Sequence, residues 1–227
     1  MRYIIIPDIH GRDFWKQAIP LQNDETELVF LGDYFDPYPN EGITPQQAIS
    51  NFDEILDTLD LEGCQFLIGN HDAHYLYDTI TKSTRYSTKY EDDIEKRLKK
   101  IDDLSIATWF TLNHVSYLLT HAGINKNWLS RHTDLWSNDR IGLLDLNNPE
   151  LIFAASEIGK SRGGWYHTGG PLWADISDMD SPDIPYYQIF GHTQLKEAAI
   201  KDRWACLNCK KLFIVDDTGL HGYTEDK

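Results

Sequence analysis

The sequence predicts an α/β domain, and three observations support this class. Short apolar runs typical of strands alternate along the chain with stretches of helical periodicity. Five short polar motifs each follow one of these apolar runs, and no repeat or low-complexity linker interrupts the alternation. A length of 227 residues suffices for one large domain with a buried core. We therefore predict a single domain over residues 1–227 rather than two small ones.

The first predicted strand covers residues 2–7 and leads into the motif Asp8-Ile9-His10-Gly11. Asp8 and His10 stand two positions apart at its end, where strand alternation points both side chains the same way. They are therefore candidate ligands of one metal ion. Gly11 allows a tight turn beside them, and a helix is predicted to begin over residues 13–19.

The second predicted strand ends at Leu31-Gly32-Asp33-Tyr34-Phe35-Asp36. The two oxygens of the Asp33 carboxylate offer lone pairs to one metal each, so Asp33 could bridge two divalent cations. Two metals need further ligands. The remaining motifs supply them: Gly69-Asn70-His71-Asp72, Thr120-His121-Ala122-Gly123 and Gly191-His192-Thr193.

Two helices are predicted in the middle of the chain. The first starts with Thr44 as N-cap, Pro45 at the first helical position and Gln47 completing a capping box, and it precedes a strand over residues 64–68. The second is predicted from residue 88 to residue 108, with apolar side chains on one face and charged pairs four residues apart on the other. We interpret it as part of a helical insertion around residues 74–110 that covers the site.

The later strands are predicted over residues 115–119, 186–190 and 211–215 and around His221. Cys206 and Cys209 form a lone C-x-x-C, and no second pair is present to complete a zinc ribbon. We interpret them as two thiols in or near a late strand.

The ordered set of motifs resembles the calcineurin-like metallophosphoesterases, nearest the branch with the phosphoprotein phosphatases and the diadenosine tetraphosphatases. The blocks of that branch read D-x-H-G, G-D-x-x-D, G-N-H-[DE], H-[AG]-G and G-H-T, and the resemblance runs from residue 8 to residue 193. Leu172-Trp173-Ala174-Asp175 also resembles an L-W-x-D element of the phosphoprotein phosphatases. The resemblance implies a sandwich of two mixed β-sheets flanked by helices.

The resemblance also implies the residue roles. One metal would be held by Asp8, His10 and Asp33, and the second by Asp33, Asn70, His121 and His192. Carboxylate, imidazole and amide ligands suit Mn, Fe or Zn, and the absence of cysteine ligands argues against a purely structural zinc site. A hydroxide bridging the two metals would attack phosphorus directly.

His71 matches the histidine that protonates the leaving oxygen in this family, and Asp36 would orient its ring. His74, His114, His132, His167 and His221 lie outside any motif, so each is interpreted as an ordinary structural or surface residue.

One departure from the family pattern concerns phosphate binding. Phosphoprotein phosphatases end the second motif with D-R-G, whereas Asp36 is followed here by Pro37 and Tyr38. Arg162, in a Gly-rich loop, and Arg12, after the first motif, are the candidate replacements, since a guanidinium can bind phosphate through two hydrogen bonds.

The favoured function is a phosphomonoesterase that acts on a phosphoprotein or a small molecule. The alternative is a dinucleoside polyphosphate hydrolase, which His121-Ala122-Gly123-Ile124 and the nearby Trp128 resemble in part. An inactive metal-bound scaffold is the lesser alternative, because metal binding alone would not require His71 and Asp36.

Composition limits the partners. A formal net charge of −15 argues against nucleic acid, whose phosphates require a basic surface. No apolar run approaches the roughly 20 residues of a membrane span. We therefore expect a cytoplasmic protein with a phosphorylated substrate, and the sequence leaves its oligomeric state open.

Overall fold

The computed structural model describes residues 1–135, 146–179 and 184–224. These residues form two five-stranded mixed sheets with helices on the outer faces. The strands are β1 (Arg2–Ile6), β2 (Thr26–Phe30), β3 (Cys64–Phe66), β4 (Ala107–Leu112), β5 (Val115–Thr120), β6 (Tyr187–Phe190), β7 (Ala199–Ile200), β8 (Trp204–Cys206), β9 (Phe213–Asp216) and β10 (Gly219–Gly222). The α-helices are α1 (Pro45–Thr58), α2 (Asn70–Leu76), α3 (Glu91–Leu98), α4 (Lys126–Arg131) and α5 (Pro149–Ala155).

The first sheet has the order β10-β9-β1-β2-β3, and the second has the order β4-β5-β6-β8-β7. In the first sheet β1, β2 and β3 run parallel, β9 is antiparallel to β1, and β10 is antiparallel to β9. In the second sheet β5, β6 and β8 run parallel, with β4 and β7 antiparallel at the edges. The architecture confirms the predicted sandwich of two mixed sheets.

Alternation along β1 explains how the sheets pack. Ile5 and Tyr3 point into the layer between the two sheets, where the Tyr3 ring stacks on Phe110 of β4 with ring centroids 3.6 Å apart. Ile4 and Ile6 point to the opposite face, which the helices cover. Because both faces of this strand are buried, its sequence reads as a continuous apolar run rather than an alternating one.

Helix α1 begins as predicted. The Thr44 side chain accepts from the Gln47 N–H, the Gln47 side chain bonds back to the Thr44 N–H, and Pro45 occupies the first turn. The segment predicted as a helix at residues 13–19 is instead a 3₁₀ helix over Phe14–Leu21, which contains Pro20. Proline removes a backbone donor, so a regular α-helix is disfavoured there.

The helical insertion predicted around residues 74–110 is present, but its helix is shorter than predicted. Helix α3 ends at Leu98 rather than near residue 108, and its first turn has no side-chain cap. The predicted helix end is instead strand β4, which pairs with β5 along all six of its residues. Aromatic and β-branched side chains favour this strand, and the partner that stabilises it lies in another part of the sequence.

The late strands lie near their predicted positions, while the short strands β7 and β8 were not predicted. Cys206 lies in β8 and Cys209 follows it, in or near a late strand as interpreted from the sequence, and the structure shows that both are buried free thiols. Burial raises the pKa of Cys206 to about 12, so its thiol stays protonated. None of the helices in the described ranges is both long and apolar enough to cross a membrane.

Candidate dinuclear metal and phosphoester site

The five sequence motifs converge at one edge of the sandwich. Each follows the carboxyl end of a parallel strand or of the segment that continues it: β1, β2 and β3 in one sheet, β5 and β6 in the other. The predicted metal ligands are all buried there: Asp8, His10, Asp33, Asn70, His121 and His192. Strands distant in sequence thus bring acid, imidazole and amide groups to one place.

The first ligand cluster consists of Asp8, His10 and Asp33, whose donor atoms lie within 4.8 Å of one another. His10 Nδ1 lies 2.8 Å from the Phe35 carbonyl, to which it donates, so the lone pair is left on Nε2. That atom lies 3.3 Å from Asp33 Oδ2. A histidine oriented by a backbone carbonyl in this way is the usual arrangement of a metal ligand.

The second cluster consists of Asp33, His121 and His192, with the Asn70 side chain beside it. His121 Nδ1 lies 2.8 Å from the Leu31 carbonyl, so its Nε2 is likewise the lone-pair atom. This Nε2 lies 3.0 Å from Asn70 Oδ1, 3.1 Å from His192 Nδ1 and 3.5 Å from Asp33 Oδ2. Asn70 Oδ1 and Asp33 Oδ2 can only accept, so their lone pairs face that of His121 Nε2 across a buried space.

This geometry fits a cation better than it fits hydrogen bonding. Facing acceptors repel unless a positive charge lies between them, and buried polar groups normally find partners. Among the described residues, His192 Nε2 has no hydrogen-bond partner. Burial, together with the neighbouring His121 and Arg162, holds the pKa of His192 well below its usual value, so the ring stays neutral as a metal ligand requires.

Backbone conformation marks the same residues. His10, Asp33, Asp36 and His192 have φ values of 46°, 56°, 55° and 62°. This left-handed region is disfavoured for residues with a side chain, and non-glycine residues held there cluster at functional sites. Four of the predicted site residues thus adopt a conformation that the surrounding fold must stabilise.

Two motif glycines make room for the carboxylates. A Cβ at Gly69 would lie 2.1 Å from Asp33 Oδ1, and a Cβ at Gly191 would lie 2.1 Å from Asp8 Oδ2. The His192 N–H, directly after Gly191, donates to Asp8 Oδ1 at 2.9 Å. The close approach that only glycine permits therefore sets the positions of both acids.

Asp72 holds the loop of Asp33, a role that sequence reasoning did not assign. Its buried carboxylate accepts from the Asp33 N–H at 2.6 Å, the Gly69 N–H at 2.9 Å and the Tyr34 N–H at 3.0 Å. The Asp33 carboxylate in turn accepts from the His71 N–H at 2.9 Å. Asp72, the last residue of the third motif, thus fixes the second motif against the third.

The predicted pair of Asp36 and His71 is brought together. His71 Nδ1 lies 2.9 Å from Asp36 Oδ2 and 2.8 Å from Ser83 Oγ. Burial alone would raise the pKa of Asp36, but the contacts with His71 and His74 lower it below its usual value. The pKa of His71 lies below its usual value because burial lowers it by more than the Asp33 and Asp36 carboxylates raise it.

His74, interpreted from the sequence as an ordinary residue, lies in the same network. The Ser83 N–H donates to His74 Nδ1 at 3.1 Å, so the proton of the neutral ring is on Nε2. That atom lies 2.9 Å from Asp36 Oδ2, and the Tyr75 hydroxyl donates to Asp36 Oδ1 at 2.6 Å. Its position one helical turn after Asn70 was the available sequence signal.

The two candidate arginines lie in different places. Arg162 lines the cavity over the site, with its Nη2 donating to Thr193 Oγ1 at 2.6 Å and its Nε 2.7 Å from Asp175, the acid of the L-W-x-D element. Arg12 is buried, with Nε 2.7 Å from Glu41 and Nη1 donating to the Asp8 carbonyl at 3.1 Å. Its guanidinium is therefore committed to protein partners, and Arg12 does not line the cavity over the site.

Arg85 is a cation that sequence reasoning missed. It lies in the segment between α2 and α3, with Nη2 2.9 Å from His71 Nε2 and the guanidinium 3.8 Å from the Tyr38 ring centroid. Its Nε has no hydrogen-bond partner among the described residues. No motif surrounds Arg85 in the sequence, and only the folding of its loop over the site reveals it.

The cavity above the clusters has a volume of about 410 Å³. Its wall includes Asp33, Asn70, His71 and His192 on the metal side and Arg85 and Arg162 across from them. Trp128, part of the resemblance to the dinucleoside polyphosphate hydrolases, is instead buried in the core and donates to the Ala154 carbonyl. It does not line this cavity.

Two clusters of metal-ligating residues that share a carboxylate, with a histidine and arginines above them, define a candidate metal-dependent phosphoesterase. The chain belongs to the calcineurin-like phosphoesterase family, whose model matches residues 1–195. It is therefore a hydrolase of phosphoesters, in a family that generally binds divalent metals.

Two solved structures are similar to this chain, and the first of them shares its fold. One is a protein serine/threonine phosphatase from Saccharomyces cerevisiae with similarity to human phosphatase PP5, at 13% identity and a TM-score of 0.50, covering 100% of this chain and 81% of that one. Another is an archaeal phosphodiesterase, at 12% identity and a TM-score of 0.40, covering 98% of this chain and 99% of that one. No curated protein matches significantly.

Proposed function

We propose that the chain is a dinuclear-metal phosphomonoesterase that hydrolyses a phosphoprotein or a small phosphomonoester. The observation that carries this proposal is the buried pair of Asp36 and His71 beside two ligand clusters that share Asp33. Metal binding alone does not need such a pair. A proton donor next to a metal site is what the release of an alcohol from a phosphoester requires.

In this proposal Asp8, His10 and Asp33 hold one metal, and Asp33, Asn70, His121 and His192 hold the other. When bound, the two ions would activate a water molecule and neutralise charge on the phosphoryl oxygens. The donor set of carboxylates, imidazoles and one amide suits Mn, Fe or Zn. Because Asp33 contributes to both clusters, the loss of its carboxylate should affect both metals together.

His71 is the proposed general acid. Asp36 engages Nδ1, so the proton for the leaving oxygen would come from Nε2. Overall, the water loses one proton to solvent and its oxygen forms a bond to phosphorus, the ester P–O bond breaks, and the leaving oxygen takes the proton of His71, which solvent restores. Asp36, held in turn by Tyr75 and contacted by His74, orients the ring during this transfer.

Arg85 and Arg162 are the proposed phosphate-binding residues. Arg85 Nη2 lies 2.9 Å from His71 Nε2 and donates to its lone pair, so this atom must be released and protonated before it can act as the acid. A phosphoryl oxygen is a stronger partner for a guanidinium than a neutral imidazole is. Substrate would therefore draw Arg85 away from His71, and Nε2 would then take up from solvent the proton that it transfers.

His71→Ala tests the proton transfer. We expect the variant to retain its metals and to lose roughly 10²–10⁴ in turnover of an alkyl phosphate such as glycerol phosphate. The loss should be smaller for 4-nitrophenyl phosphate, whose leaving group needs no proton. Both substrates would be assayed with Mn²⁺, with metal content measured alongside.

His167→Ala is the matched control, because His167 is exposed and outside the site. An equal loss by His71→Ala on both substrates would remove His71 from the acid role.

A panel of substrates separates the remaining alternatives. Preference for a phosphopeptide or a small monoester supports the proposal, whereas selective cleavage of diadenosine tetraphosphate favours the dinucleoside polyphosphate hydrolase. Failure to hydrolyse any of them with both metals bound would favour the inactive scaffold. The net charge of −15 supports a small or peptide substrate over nucleic acid.

A further inference from the structure

A second cavity, which we call the side cavity, adjoins the site. It has a volume of about 260 Å³, and its apolar wall is formed by Ile80, Phe153, Ile158, Trp165 and Tyr166. Phe153 and Trp165 are 58% and 94% exposed, although large apolar side chains usually avoid water. Exposed aromatic groups around a concave surface beside an active site are typical of ligand binding.

The side cavity borders the cavity over the ligand clusters. Thr81, Ile158 and Gly163 line both. A molecule whose phosphoryl group lies against Asn70 and His192 can therefore extend past these three residues to the aromatic wall. The side cavity is thus placed to receive the leaving group rather than the phosphate.

One rigid turn connects the two cavities. The Tyr166 N–H donates to the Ile158 carbonyl at 3.2 Å, the Lys160 N–H to the Tyr166 carbonyl at 2.9 Å, and the Gly164 N–H to the Gly159 carbonyl at 2.9 Å. This turn carries Arg162, whose guanidinium points to Thr193 at the site, and three residues later Trp165. Backbone hydrogen bonds therefore hold the main chain of Arg162, a proposed phosphate contact, at a fixed separation from that of Trp165.

The occupant follows from this spacing and from the lining. An aromatic wall with an exposed indole favours a planar ring, because stacking on an indole is stabilising for any heteroaromatic base. The ring must lie beyond the shared residues, so a spacer has to separate it from the phosphoryl group. An aryl phosphate has no spacer and would keep its ring over the metals, whereas a nucleoside has a sugar between the base and the ester oxygen.

We infer that the side cavity binds the base of a nucleotide substrate, which stacks on Trp165 while its phosphate lies over the metal clusters. This inference rests on the proposed phosphomonoesterase function and names the substrate class of the same site. The enzyme selects its substrate through the leaving group, and the indole of Trp165 is the specificity-determining contact.

The test compares adenosine 5′-monophosphate with ribose 5-phosphate. Both release a primary alcohol of similar reactivity, so the ratio of their kcat/KM values isolates the base. The wild type should prefer the nucleotide, and Trp165→Ala should lower that ratio by about 5- to 100-fold, the scale of one base–aromatic stacking contact. Trp165→Phe should retain much of the preference. Ile200→Ala, which removes an exposed apolar side chain outside both cavities, should leave the ratio unchanged.

A binding measurement makes the test independent of turnover. Calorimetric titration with adenosine should give weaker binding to Trp165→Ala than to the wild type by a similar factor. Equal kcat/KM values for the two phosphates in the wild type would overturn the inference and leave the phosphomonoesterase function standing. Adenosine binding that Trp165→Ala does not weaken would overturn it as well, whether or not either phosphate is hydrolysed.

Discussion

Asn125 offers a sharp test of how the Gly-rich loop is held against the site. Its fully buried side chain caps α4, where Oδ1 accepts from the Trp128 N–H at 2.9 Å. Oδ1 also accepts from Thr168 Oγ1 at 2.8 Å, and Nδ2 donates to the Gly169 carbonyl at 2.9 Å. One amide thus joins the helix after the fourth motif to the loop that carries Arg162.

The cost of Asn125→Ala follows from these contacts. Loss of an N-cap costs about 1 kcal/mol. A buried carbonyl or hydroxyl left without a partner adds roughly 1–3 kcal/mol, even if the loop relaxes around some of them. We therefore expect the free energy of unfolding to fall by about 2–4 kcal/mol. The loosened loop should also raise KM, because Arg162 depends on it.

Urea denaturation followed by tryptophan fluorescence measures this change. Asn148→Ala is the matched control, since Asn148 caps α5 through the N–H groups of Glu150 and Leu151 and has no interior partner among the described residues. The control should lose only about 1 kcal/mol. Equal losses in the two variants would refute the reasoning, because the buried bonds to Thr168 and Gly169 would then contribute nothing measurable.

Three further predictions address the site and its support. Asp33→Asn should lose both metals together, as measured by elemental analysis, because both clusters share its carboxylate; full occupancy in the variant would contradict the bridging role. Arg162→Ala should lower kcat/KM by a factor equivalent to roughly 1.5–3 kcal/mol of transition-state stabilisation, without changing metal content. Arg12→Ala should mainly lower stability, since its guanidinium binds Glu41. Wild-type kinetics in Arg162→Ala would remove Arg162 from substrate binding. Burial would raise the pKa of Glu41, but hydrogen bonds from Arg12 and Lys210 lower it to about 2. The stability that Glu41→Gln loses should therefore be largest above pH 4.5 and should vanish as the pH falls toward 2. A pH-independent loss in thermal unfolding would contradict the ion pair.

The sequence by itself determined the family, the sheet sandwich and the residues that meet at its edge. These features depend on short-range patterns: apolar runs followed at once by Asp8, Asp33, Asn70, His121 or His192. The ends of parallel strands necessarily meet at one edge of a sheet, so motif order and strand order together predict a shared site. The Thr44 cap was predictable for the same reason, since all of its partners lie within one helical turn.

Tertiary structure alone decided the features whose partners are distant in sequence. Residues 107–112 became a strand because β5 pairs with all of them, which a local helical pattern cannot indicate. Arg12 forms an ion pair with Glu41, and Trp128 is buried in the core. Arg85 reached His71 because its loop folds back over the site. Each of these contacts joins two groups that only the completed fold brings together. A single segment of sequence therefore cannot indicate that the contact will form.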